Sequence, residues 1–179
     1  MRCFIAVGLN DEIKDYLYET GLRLRKELKE SKISWVAKRN LHLTMKFLGE
    51  VDEEKIEEVK KRLKRVEFEE FEVELDKLGV FPNEDFIRVV FIGLQPEERI
   101  IKLQQKIDME LLDLFSKEQE FHGHVTLGRM KIAKDKKRII KVLKENVEKR
   151  KMIIDNLQLM KSELHKEGPR YFKLWEKKS

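Results

Sequence analysis

The sequence predicts an α+β fold in which two pseudo-symmetric lobes of largely antiparallel sheet, with helices outside, face each other across a central groove. Three observations carry that expectation. A short motif occurs twice, as His42-Leu43-Thr44 and His124-Val125-Thr126, each reading His, apolar, Thr. Around it runs a faint repeat, in which Phe4-Ile5-Ala6-Val7-Gly8-Leu9-Asn10 matches Val89-Val90-Phe91-Ile92-Gly93-Leu94-Gln95, a strand leading into a helix in both cases. Gly8 and Gly93 are 85 residues apart and His42 and His124 are 82 apart, as a duplicated unit requires. Finally, strands and helices mix without the regular βαβ order that builds a parallel sheet. No Gly/Ser-rich linker divides the chain, so residues 1–179 are expected to form a single domain of two intertwined lobes.

Taken in order, Cys3-Phe4-Ile5-Ala6-Val7 is a nearly continuous apolar run that fits a buried strand. Asn10 can cap a helix whose first turn carries Asp11 and Glu12, with Ile13, Leu17, Gly21, Leu24 and Leu28 as its buried stripe. Ile33 to Val36 predicts a short strand, and Leu41 to Leu48 predicts the strand of the first motif, ended by Gly49. Asp52-Glu53-Glu54 opens a second helix with Ile56, Val59 and Leu63 inward. Phe71, Val73 and Leu75 alternate with acids, as a strand with one wet face should. Gly79-Val80-Phe81-Pro82-Asn83 reads as a turn, and Ile87 to Ile92 as the next strand. Pro96 suits the start of a helix marked by Ile100, Leu103, Ile107, Leu111 and Leu114. The second motif strand precedes a Lys-rich helix with Ile139, Leu143 and Val147 inside. Two strands, Met152 to Met160 and Tyr171 to Trp175, close the chain around residues 166–169.

Hydrophobic residues at 41% provide for an ordinary core, while charged residues, also 41%, exceed the usual quarter by an excess of Lys and Glu known from hyperthermophile surfaces. The net charge of +5 permits an anionic partner such as RNA without demanding one. The basic run from Lys131 to Lys151 reads as a solvated helix face, with attraction of RNA as the alternative. The single cysteine, Cys3, lies inside an apolar run and reads as a buried thiol. No apolar run approaches the ~18 residues of a membrane span and no signal-peptide pattern opens the chain, so a cytoplasmic protein is expected.

Strand parity sets His42, Thr44 and Lys46 on one face, with Leu41, Leu43, Met45 and Phe47 on the other; His124 and Thr126 likewise oppose Val125 and Leu127. Two imidazoles facing one anionic centre suit phosphoester chemistry, one accepting a proton and the other donating one. Thr44 and Thr126 can donate to phosphoryl oxygens, and Lys46 can add positive charge or be an edge-strand lysine. Arg129 has the wrong parity for the groove unless a bulge at Gly128 swings it back to make a bidentate phosphate contact. His122 and His124 stand at a metal-ligand spacing, but no third His or Cys follows at a suitable distance, and no metal is expected.

Asn40-Leu41-His42-Leu43-Thr44-Met45-Lys46-Phe47-Leu48-Gly49-Glu50 together with His124-Val125-Thr126-Leu127-Gly128-Arg129 resembles the 2H phosphoesterases, more narrowly the bacterial and archaeal RNA 2′,3′-cyclic phosphodiesterases, also called 2′-5′ RNA ligases. The resemblance extends to Arg2 through Val7, the Trp35 strand, Gly79 through Pro82, and Ser162 through Tyr171. It implies a metal-independent, cofactor-free site between two lobes, acting on RNA ends or nucleotides that carry a 2′,3′-cyclic phosphate. It also implies hydrolysis to a 2′-phosphate, with reversible 2′-5′ ligation as a related activity. A monomer is expected, though the sequence itself does not set the oligomeric state. By the family pattern His42 protonates the departing O3′ and His124 activates water, with Thr44, Thr126 and Arg129 matching the family's phosphate-binding groups. Gly123 departs from the proline common before the second histidine. Two other classes stay open: a non-catalytic module holding RNA ends in the same groove, and a metal-dependent hydrolase using His122 and His124.

Overall fold

The computed structural model describes residues 1–145 and 147–179. The first strand, β1 (Arg2–Gly8), leads into α1 (Asp11–Glu27), whose N-terminus is closed by Asn10 Oδ1 accepting from the Ile13 amide at 2.8 Å. Next come β2 (Lys32–Trp35), a 3-10 turn at Lys38–Asn40, β3 (His42–Glu50) and α2 (Glu53–Leu63), the last capped by Asp52 at the Lys55 amide. The second half contains β4 (Phe71–Pro82), β5 (Ile87–Gln95), α3 (Glu97–Glu110), β6 (His124–Ile132) and α4 (Lys136–Leu143). The chain ends with β7 (Lys151–Ile154), β8 (Asn156–His165) and β9 (Gly168–Lys178).

All the strand pairs are antiparallel and join into one curled sheet in the order β7-β4-β5-β6-β3-β1-β8-β9, with β2 also on β6. The order is palindromic in kind. Outward from the centre β6 answers β3, β5 answers β1, β4 answers β8 and β7 answers β9, while α3 follows β5 as α1 follows β1. The halves meet where Leu43 pairs with Val125. Each long helix packs across that seam, α1 on β6 and α3 on β3, so neither half closes its apolar face alone. Ile5, Leu43, Met45, Val90, Ile92 and Val125 supply that face from the sheet, all at most 1% exposed. Cys3 belongs to it, and burial raises its thiol pKa.

Several sequence expectations shift. Gly79 to Pro82 continue β4, and the turn begins at Asn83, whose side chain accepts from the Asp85 and Phe86 amides. Gly79 is required by contact: a Cβ there would lie 2.7 Å from the Phe91 ring. The α3 helix ends at Glu110 and α4 at Leu143, so Leu114 and Val147 reach the core from outside them. The strand expected from Met152 to Met160 is two strands broken at Asp155, because β7 pairs with β4 while β8 pairs with β1 in the other half. The basic run ends in ion pairs, Lys149 with Glu74, Arg150 with Glu148 and Lys151 with Glu72, which offset its pull on RNA.

Strict alternation fails in both motif strands, and in the same way. Ala6 pairs with Thr44 but Ile5 with Lys46, leaving Met45 as an extra residue; Phe91 pairs with Thr126 but Val90 with Gly128, leaving Leu127 extra. A bulge reverses the parity of everything after it. Phe47 and Arg129 therefore turn outward, and Lys46 and Gly128 turn in under the helices. The expectation that Lys46 shares the groove with His42 is wrong for this reason. Lys46 is 2% exposed, and its Nζ lies 2.6 Å from Asp108 Oδ1 on α3 and 2.6 Å from the Ser116 carbonyl. At Gly128, by contrast, a Cβ would lie 2.8 Å from Ile33 and 3.0 Å from Trp35.

Candidate active site

The Leu43–Val125 pair points its side chains at the helices, so the residues flanking it point the other way, into the concave face. Continuing that antiparallel register by one residue sets His42 beside Thr126 and Thr44 beside His124. The two imidazoles are thus diagonal across the seam, with the hydroxyls on the other diagonal. In the next strand out, Gly8 stands opposite His42 and Gly93 opposite His124; at Gly8 a Cβ would lie 2.5 Å from Gln158 Nε2, so the Gln158 side chain takes the space that a larger residue would need.

The imidazoles are held alike. His42 Nδ1 lies 2.6 Å from the Asn40 carbonyl, and His124 Nδ1 lies 2.7 Å from the His122 carbonyl. A carbonyl only accepts, so each Nδ1 carries the hydrogen and each neutral ring keeps Nε2 as its acceptor. Their second contacts differ. His42 Nε2 accepts from the Thr44 hydroxyl at 2.7 Å, whereas His124 Nε2 has no hydrogen-bond partner among the described residues. The supporting carbonyls are themselves fixed. Buried Asn40 donates from Nδ2 to the Pro169 carbonyl at 2.7 Å. On the other side Glu97 Oε1 accepts from the Gly123 amide at 2.9 Å and meets His122 Nδ1 at 3.3 Å.

Aromatic rings close in on both. Phe4 and Tyr171 lie 4.9 and 5.4 Å from the His42 ring, and Phe81 and Phe91 lie 4.9 and 5.4 Å from that of His124. These apolar walls favour the neutral forms. Burial lowers His42 to about 4, against the pull of the Asn40 carbonyl and assisted by the positive charge of Arg129, His124 and Lys14. His124 is also lowered, by burial first and then by His122 and Arg129, with its backbone hydrogen bond and Glu97 opposing. Arg129 thus acts on both rings and on Tyr171, consistent with its return to the concave face by the bulge.

His42, Thr44, His124, Thr126 and Arg129 are therefore brought to one face, and Lys46 is not. The His122 side chain is 61% exposed and turned to Glu97, and among the described residues no three His, Cys, Asp or Glu groups converge. Sequence reasoning missed the four aromatic walls and Asn40. A signal for Asn40 existed, since it precedes His42 by two residues as His122 precedes His124.

The family described as LigT like phosphoesterase matches residues 7–91 and matches again over 92–171, one match per half. The chain belongs to the LigT-like phosphoesterase family. It is 35% identical over 178 residues to the RNA 2′,3′-cyclic phosphodiesterase of Methanocaldococcus jannaschii, covering 96% of each chain. Among solved structures it is similar to a Thermus thermophilus protein, TT0787, with a TM-score of 0.78 and 27% identity over 99% of this chain and 97% of that one. It also resembles Escherichia coli LigT in complex with phosphate, with a TM-score of 0.72 and 26% identity over 99% and 96% of the two chains. In this chain the doubled match and the doubled histidine environment describe the same internal duplication.

Proposed function

We propose that this protein hydrolyses RNA 2′,3′-cyclic phosphate ends to 2′-phosphates by paired-histidine acid–base catalysis. The observation that carries the reading is the matched pair of imidazoles, each with Nδ1 tied to the carbonyl two residues before it and Nε2 left for chemistry. The Methanocaldococcus relative, an RNA 2′,3′-cyclic phosphodiesterase, supports it. His124 Nε2, without a protein partner, takes a proton from water as the water oxygen attacks phosphorus. The P–O3′ bond breaks, and O3′ receives the proton of His42 Nε2. Thr44, Thr126 and Arg129 donate to the non-bridging oxygens as charge builds. A 5′-hydroxyl in place of water gives a 2′-5′ linkage by the same displacement.

The acid must first acquire its proton. His42 is neutral at pH 7 in the free protein, where burial lowers it to about 4. A bound phosphate anion that claims the Thr44 hydroxyl frees Nε2 and stabilises the imidazolium. Adenosine 2′,3′-cyclic phosphate should therefore be hydrolysed in excess chelator to the 2′-phosphate. Both free-protein histidines lie below the ordinary value near 6.5, so kcat/KM should peak below that pH and fall roughly tenfold per unit above it. The alkaline limb of kcat, set by the bound state, should lie higher. Absence of turnover would refute the reading, and a kcat/KM level up to pH 8 would refute the control by burial.

Glu97 holds the peptide whose carbonyl orients His124. Glu97→Ala is expected to lower kcat about tenfold, the order of one lost orienting hydrogen bond, with little change in KM. Because Glu97 raises His124, its removal should also move the acid limb to lower pH. Glu97→Gln, which still offers an oxygen to Gly123, should restore the rate while keeping the displaced limb. An Ala variant with wild-type kcat would exclude the role.

A further inference from the structure

The two motif strands carry the same bulge but not the same neighbours. Lys46 and Gly128 hold the equivalent inward place in β3 and β6, and Phe47 and Arg129 the outward place after it. Each pair stands at the 82-residue offset that relates His42 to His124. From Gly128 onward, β6 is covered on its second edge by β2, a strand of the first half. Beyond Leu43, β3 has no such partner. Residues 111–123, between α3 and β6, contribute no strand among the described residues, and they meet β3 through the bond from Lys46 Nζ to the Ser116 carbonyl. We propose that β2 is a clamp, reaching across from the first half, and that its Trp35 is the positioning residue that places the Arg129 guanidinium at the reacting phosphate. The proposal rests on the phosphodiesterase reading above for the role of that phosphate.

Arg129 needs such a device. Among the described residues its guanidinium makes no hydrogen bond or ion pair, so the backbone beneath it sets where the charge lies. That backbone is a bulge, which leaves the extra residue out of the ladder and its polar groups to be met elsewhere. At Leu127, the extra residue, the carbonyl accepts from the Val36 amide at 2.9 Å. Trp35 then pairs with Gly128, and Ser34 with Arg129 itself, which is held between β2 and Val89 of β5. The contact at Trp35 is close. A Cβ on Gly128 would lie 3.0 Å from Trp35 Cε3 and 2.8 Å from Ile33, so the indole rests against bare backbone. Trp35 is half-buried and packs on the core, which gives the bulge a fixed floor.

The first half supplies the internal comparison. There a buried lysine replaces the glycine, no strand covers the bulge, and the outward residue is Phe47, 62% exposed and without charge. The arginine stands where the clamp stands. Its charge reaches both His42 and His124, so a displaced guanidinium disturbs the whole site.

Two readouts on intact protein test the clamp: turnover of adenosine 2′,3′-cyclic phosphate and equilibrium binding of adenosine 2′-phosphate. Trp35→Leu should lower kcat/KM by about 10–100-fold, the order of a ~1 Å misplacement. Binding should weaken about tenfold, the worth of one charge-assisted contact. Gly128→Ala, which crowds the same contact from the other side, should act alike. Arg129→Ala removes the group being placed, so adding Trp35→Leu to it should change either readout by no more than about twofold. Guanidinium ion in the buffer should raise Arg129→Ala and Arg129→Ala/Trp35→Leu to the same rate, because a free ion needs no clamp. An indole that only supports the fold would lower kcat in the arginine-free background as well. Losses that multiply in this cycle, or a Trp35→Leu with wild-type turnover and binding, overturn the proposal. Where Trp35→Leu does not fold, Gly128→Ala run through the same cycle gives the decision. A wild type that turns over no cyclic phosphate overturns the phosphodiesterase reading instead, and the binding readout still decides on the clamp.

Discussion

His42→Ala and His124→Ala are each expected to lower kcat by about 10²–10⁴, the usual worth of one positioned proton-transfer group. The double variant should be little slower than the slower single one, because the two groups serve one transition state and their effects do not add. What separates the pair is the pH profile. Removing the base abolishes the acid limb of kcat/KM, and removing the acid abolishes the alkaline limb. With His124 as base and His42 as acid, His124→Ala loses the former and His42→Ala the latter. The opposite pattern would exchange the roles while preserving the mechanism. Full activity in both variants would end it. Neither change should unfold the protein, since both rings lie half-buried on the concave face and the apolar packing is on the other side of the sheet. Affinity for adenosine 2′-phosphate should fall far less than kcat, because Arg129 and the hydroxyls remain. Product binding without wild-type turnover would point to a module that only holds RNA ends.

Much of this site was legible because duplication writes its own evidence. One His-x-Thr strand says little, but two at equal places in a repeat fix a pair, and strand parity puts each pair of polar residues opposite an apolar row. The same alternation rule then misplaced Lys46. Period-2 reasoning assumes an uninterrupted ladder, and the sequence around Met45 has no glycine or proline to announce a bulge. At the equivalent place in the second strand Gly128 did announce one, and the return of Arg129 to the groove was readable there. The break at Asp155 was hidden for another reason. Met152 to Met160 alternates well enough for one strand, and only the pairing of β7 and β8 with different halves divides it. The walls Phe4, Tyr171, Phe81 and Phe91 come from four separate strands, so no local pattern could gather them.

Lys46→Met should destabilise the fold by about 3–5 kcal/mol, the cost of leaving the other member of a buried ion pair uncompensated. That is a large share of the ~5–15 kcal/mol that holds a typical domain together. The stranded group is Asp108, 5% exposed, which also accepts from Gln104 Nε2 at 2.9 Å and from the Glu118 amide at 3.0 Å. Lys46 itself closes the Ser116 carbonyl, so the pair ties β3 to α3 and to the segment that follows it. Asp108→Asn removes the buried charge and keeps an oxygen for Glu118. Combined with Lys46→Met it should therefore recover most of the loss, which denaturant midpoints with an unchanged m-value will show. Where the single variant is folded, its kcat should stay within a few-fold of wild type, since Lys46 points away from the reacting phosphate. A phosphate-binding lysine would behave in the opposite way, with kcat/KM lost and the midpoint unmoved. The two measurements together decide on which face of β3 this charge acts.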